Sequence, residues 1–143
     1  MSRTRLAADV ERRLRDAARH RCGYCLSPQR LVFAPLEIEH IQPRSQGGAD
    51  NESNLWLSCP LCNSHKSDKT SAIDPVTQSI QPLFNPRTQS WRDHFRWSDD
   101  GLRILGKTPI GRATVVALRL NDDPISLEVR SHWIAAGWHP PSD

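Results

Sequence analysis

The chain has 143 residues, 37% of them hydrophobic, with 19 lysines and arginines against 16 acidic residues and a formal net charge of +3. That length suits one domain with a modest core, or a small module with an appendage. The mild basic excess (pI about 8.9) permits a nucleic-acid partner without demanding one, and the lack of a long apolar stretch excludes a membrane-spanning helix.

The N-terminal residues Met1-Ser-Arg-Thr-Arg-Leu run into the charged stretch Asp9-Val-Glu-Arg-Arg-Leu-Arg without an apolar h-region. A cytoplasmic protein without a secretory signal is therefore expected. From Ala8 to His20 the apolar residues Val10, Leu14, Ala17 and Ala18 recur at helical spacing, which predicts an amphipathic helix. It leads into Cys22-x-x-Cys25, and a second pair, Cys59-x-x-Cys62, follows. Disulfides are disfavoured in a reducing compartment, so two pairs at this spacing predict four thiolate ligands on one zinc. With every tetrahedral position filled and none left for water, that zinc is expected to be structural. Thirty-three residues separate Cys25 from Cys59, more than an ordinary zinc-ribbon loop holds, so the insert is expected to be a fold element or a functional one.

Within the insert, Leu36-Glu-Ile-Glu-His-Ile41 alternates apolar and polar residues as a half-buried strand does, and Pro43 limits it. Gln46 to Asn51 is turn chemistry, Asn54 to Ser58 predicts a returning strand, and Pro60 suits the first turn of a helix through Lys66 toward Thr70. Strict alternation sends Glu39 and His40 to opposite faces, although a twisted strand end brings both to one site. A neutral imidazole, with an unperturbed pKa of about 6.5, can take a proton from water. A carboxylate can hold Mg²⁺ or Mn²⁺.

Residues 71–81 read as a polar linker containing Pro75. Beyond it comes an aromatic-rich stretch from Pro82 to Trp97, a turn at Asp99-Asp100-Gly101 into Leu102-Arg-Ile-Leu, and helical spacing over Thr108 to Leu120 and Asp123 to Ala136. Asp123 is the expected N-cap of the last helix, with Pro124 at its first position. The expected organisation is an N-terminal helix in 1–20, a core in 21–70, a linker in 71–81 and an extension in 82–143 packed on the core. Phe84, Trp91, Phe95 and Trp97 are read as packing groups in preference to nucleobase-stacking ones, and His94 as structural.

The residues Glu39-His40-Ile41, Gly47-Gly48, Asn54-Leu55, Cys59-Pro-Leu-Cys62-Asn63 and Lys66 together closely resemble the HNH endonuclease family. Thirteen residues separate His40 from Asn54 and eight separate Asn54 from Asn63, in keeping with that pattern. The resemblance implies an α+β fold with a ββα-metal (HNH, His-Me finger) core and hydrolysis of phosphodiester bonds, leaving 5′-phosphate and 3′-hydroxyl ends. By the same resemblance His40 is the general base, and Asn54 ties the loop together and helps orient the histidine. Glu39 and Asn63 hold one catalytic Mg²⁺ or Mn²⁺. The family-naming position is Asn63 here; His65, two residues on, is the other candidate ligand, and Asn63 is preferred because an amide oxygen suits Mg²⁺. Arg44, Lys66 and Lys69 are expected to contact phosphates. The expected partner is nucleic acid, double-stranded DNA first, with no membrane and no small-molecule cofactor; a homodimer would place two sites on opposite strands. A zinc-stabilised binding module without turnover, and a protein-interaction adapter on the same scaffold, are the other functional classes. The segments Leu83 to Trp97 and Thr108 to Thr114 also resemble stretches that follow the core in small bacterial HNH proteins.

Overall fold

A computed structural model describes residues 6–142; the expected N-terminal segment's residues 1–5 lie outside the described residues, as does residue 143. Helix α1 (Ala8–Ala17) carries Asp9 and Glu11 in its first turn and Arg15 in its last, which complements the helix dipole. It ends before His20, as Arg19 and His20 both adopt positive φ (56° and 54°) and swing the chain into the first cysteine pair. Leu14 enters the core. Arg15 Nη1 donates to the Leu36 carbonyl at 3.1 Å, tying the helix to the strand that follows.

Strand β1 (Glu37–His40) pairs antiparallel with β2 (Leu55–Ser58), Glu37 opposite Ser58 and His40 opposite Leu55. The connecting loop folds back on itself. Gly47 has φ 86°, and a Cβ on Gly48 would lie 1.7 Å from the Gln42 carbonyl oxygen, so only glycine permits that approach. Helix α2 (Pro60–Lys66) starts with Pro60 in its first turn and Cys59 as its cap. It stops short of Thr70 because Ser67 takes φ 52°.

Residues 71–81, expected as a linker, are instead folded: β3 (Ser71–Ile73) pairs antiparallel with β4 (Ile80–Pro82). The turn is built by Asp74, whose carboxylate accepts from the backbone N–H groups of Val76 and Thr77 and from the Thr77 hydroxyl. An aspartate that bonds its own turn looks like linker composition in a sequence.

The extension comprises α3 (Trp91–His94), β5 (Phe95–Trp97), β6 (Ile104–Gly106), α4 (Pro109–Ala117) and α5 (Pro124–Ala135). Strands β5 and β6 form the hairpin signalled by Asp99-Asp100-Gly101. Asp123 caps α5 through the N–H of Ile125, and Thr108 caps α4 through that of Gly111. Phe84 and Phe95 are buried with ring centroids 5.0 Å apart, and Trp91 lies 5.2 Å from Phe95. Trp91 Nε1 donates to the Tyr24 carbonyl at 2.8 Å, fastening the extension to the segment between Cys22 and Cys25. The result is a mixed α+β fold of small antiparallel hairpins around a buried four-cysteine cluster, consistent with a ββα-metal core. Among the described residues no helix is long and apolar enough to cross a membrane.

Candidate functional site

The turn after α1 supplies Cys22 and Cys25, and the junction of β2 with α2 supplies Cys59 and Cys62. All four are buried, and their sulfur atoms lie within 4.8 Å of one another. Cys25 Sγ and Cys59 Sγ are 3.7 Å apart; a tetrahedral zinc about 2.3 Å from each sulfur requires ~3.8 Å between sulfurs. The backbone N–H groups of Tyr24 and Cys62 donate to Cys22 Sγ and Cys59 Sγ at 3.4 and 3.3 Å, which supports thiolates there. Burial pushes the Cys22 thiol well up, as the neighbouring sulfurs and burial do for Cys62, while hydrogen bonds from the other three hold Cys25 down. Four buried thiolates repel one another unless a cation sits among them. The donor set and spacing fit a structural zinc.

The side of the hairpin that meets α2 carries the carboxylates. Glu39 is 2% exposed. Its Oε1 accepts from the Tyr24 hydroxyl, and its Oε2 has no hydrogen-bond partner but lies 3.5 Å from Lys66 Nζ. Burial pushes the Glu39 carboxyl above its usual range, opposed first by the Lys66 charge. The same burial, followed by the charge of Glu39, pushes the Tyr24 phenol well up and keeps it a donor. Lys66 is 2% exposed, and its ammonium donates to the His40 and Ile41 carbonyls, each at 3.1 Å. Expected as a phosphate contact, Lys66 is turned inward, where it anchors the end of β1 to α2. Nearer the surface, Asn63 Nδ2 donates to Glu37 Oε1 at 2.8 Å.

His40 faces the loop. Glu37 and Glu39 contact Asn63 and Lys66 of α2, while the imidazole contacts the loop. Its Nε2 lies 2.7 Å from Asp50 Oδ1, and the same oxygen accepts from Arg44 Nε at 2.8 Å. Arg44, and then His40, hold the Asp50 carboxyl below its usual range. Asn54 is the loop's stitch: Oδ1 accepts from the Gln42 N–H at 2.9 Å, and Nδ2 donates to the Gln42 and Ala49 carbonyls at 3.0 and 2.8 Å. Asn54 therefore shapes the loop, while the side chain that touches His40 is Asp50.

His65 is directed elsewhere, with Nδ1 3.0 Å from the Leu118 carbonyl oxygen just beyond α4. Lys69 is exposed and donates to the His65 carbonyl at 2.7 Å. Three residues that sequence reasoning passed over now stand in the site: Tyr24, Glu37 and Asp50. The first is hidden because its spacing from Glu39 carries no motif. Glu37 was legible as the second acid on one face of the alternating strand. Asp50 lay inside a turn whose composition already explained it.

A ββα arrangement beside a four-cysteine cluster, with a histidine at the strand end, is consistent with a ββα-metal fold. Residues 22–69, 48 of the 143, match the family model described as HNH endonuclease. No match was found among curated proteins or among solved structures.

Proposed function

We propose that the chain is a metal-dependent endonuclease that hydrolyses phosphodiester bonds of nucleic acid, with DNA as its substrate. The match of residues 22–69 to HNH endonucleases carries this reading, and intact Glu39, His40, Asn54 and Asn63 support it. His40, at the end of β1 and part exposed, takes a proton from the attacking water. Asn54 fixes the loop in which the imidazole sits. Glu39 and Asn63 are the proposed holders of a divalent ion. Their oxygen donors suit Mg²⁺ or Mn²⁺, and Glu39 Oε2 is a buried oxygen lacking a hydrogen-bond partner. When bound, such an ion offsets the charge that develops on the phosphate and the leaving oxygen. Arg44 and Lys69, both exposed, are the proposed phosphate contacts; Lys66 keeps a supporting role at the strand end.

One observation favours the second reading, a nucleic-acid-binding module without turnover. Glu39 has an ammonium as its near neighbour and almost no exposure, so an ion must displace Lys66 or share the carboxylate with it. Plasmid nicking in Mg²⁺ or Mn²⁺ separates the two. His40→Ala is expected to abolish nicking while bound zinc and DNA affinity stay within about twofold of wild type. Equal cutting by wild type and His40→Ala would assign the activity elsewhere and leave the binding module as the better reading.

A further inference from the structure

A general base works only if its accepting nitrogen faces the water and its other nitrogen holds the proton. In a neutral imidazole that choice is made by whatever partners the second nitrogen. Here the partner of Nε2 is Asp50 Oδ1 at 2.7 Å. That oxygen also accepts from Arg44 Nε at 2.8 Å. A guanidinium can only donate, so Oδ1 is an acceptor and the imidazole's Nε2 carries the hydrogen between them. Nδ1 has no hydrogen-bond partner among the described residues, and the His40 side chain is 21% exposed, enough for water to reach it.

The loop is built to deliver this contact. Gly47 and Gly48 let the chain double back on Gln42. Asn54 holds Gln42 and Ala49 together, and Ala49 immediately precedes Asp50. The carboxylate is thus presented to the strand end by hydrogen bonds that do not involve His40 itself.

We propose that Asp50 is the positioning residue for His40: its Oδ1 takes the Nε2 hydrogen, fixing the ring's orientation and tautomer and leaving Nδ1 to accept the proton of water. Arg44 Nε donates to the same oxygen and holds the carboxylate in place. As that proton arrives at Nδ1 the ring becomes a cation, and the Asp50 carboxylate lies against it. This assignment rests on the nuclease reading above, and it is separable from it.

The test compares Asp50→Ala, Asp50→Asn and Asp50→Glu with His40→Ala in Mg²⁺-dependent plasmid nicking, with the imidazole nitrogens of wild type and variants followed by ¹⁵N NMR. Loss of a partner that orients a histidine typically costs about 10–100-fold. Asp50→Ala and Asp50→Asn are expected to lower kcat by about that factor with KM changed less than about threefold, and Asp50→Glu to exceed Asp50→Asn. In wild type the neutral His40 ring is expected as the Nε2–H tautomer, and in Asp50→Ala as a mixture. An Asp50→Ala protein with wild-type kcat beside an inactive His40→Ala would overturn the assignment and leave the nuclease reading intact. Wild-type cutting by both would instead remove the nuclease reading. Should Asp50→Ala fail to fold, the remaining pair decides, since equal kcat for Asp50→Asn and Asp50→Glu also overturns the assignment.

Discussion

At the scale of single residues, the buried pair of Glu39 and Lys66 is the most sensitive to substitution. Their side chains are 1% and 3% accessible, and each lies where water cannot replace its partner. A buried ion pair contributes little net stability, but removing one member leaves the other charge unsolvated, at a cost of about 3–5 kcal/mol. Lys66→Met is expected to lose roughly that amount in urea unfolding. The double variant Glu39→Gln, Lys66→Met removes both charges, and the introduced amide would keep an oxygen for the Tyr24 hydroxyl. It is expected to recover most of the loss. A double variant no more stable than Lys66→Met would show that the two side chains do not act as a pair. The same substitutions also bear on the proposed divalent ion, with which the ammonium would compete for Glu39 Oε2.

At the scale of elements, an ion pair clamps the hairpin of β3 and β4 to α4. Arg112 donates from Nε and Nη2 to the two oxygens of Asp74 at 2.8 and 2.9 Å, and Asp74 is 0% exposed. Arg112 is the largest influence that holds the Asp74 carboxyl well below its usual range. Since the folded value is depressed, the contribution is complete above the unfolded aspartate value of about 3.9 and fades as pH falls below it toward the folded value. Asp74→Asn is therefore expected to melt several degrees below wild type at pH 7, with the gap narrowing by pH 3; a gap constant across that range would rule out the clamp as its source. This clamp also marks what sequence could and could not convey. Strand, loop, strand and helix between Leu36 and Lys66 were legible because alternation, glycine pairs and Pro60 are local signals. So was the cap Asp123-Pro124, while the hairpin over 71–82 was not, because the Asp74 at its turn is held by Arg112, 38 residues further on. The site divides in the same way: the cysteines, His40 and Asn54 announced themselves by spacing, whereas Tyr24 and Asp50 matter only through contacts the fold creates.

At the scale of the molecule, the four cysteines join parts that have little to hold them otherwise. Among the described residues each of the three sheets has only two strands, and an isolated two-stranded hairpin is marginal in water. The cluster fastens the turn after α1 to the start of α2, so the loop it closes contains β1, His40 and Asp50. Through Tyr24, whose carbonyl accepts from Trp91 Nε1, it also governs how the extension seats. Zinc binding in such clusters is coupled to folding, with apparent energies of about 10–16 kcal/mol in small zinc peptides, more than a domain's usual net stability. Removal of zinc by a strong chelator is therefore expected to collapse the helical circular dichroism and to red-shift tryptophan emission together, in one transition. Readdition of zinc should restore both, and Mg²⁺ should restore neither. Cys59→Ser is expected to reproduce the stripped state, whereas His40→Ala should keep one zinc per chain and a wild-type spectrum. If chelation ended cutting while leaving both spectra unchanged, the four-cysteine metal would not be holding the fold, and the separation of a structural centre from a hydrolytic one would fail.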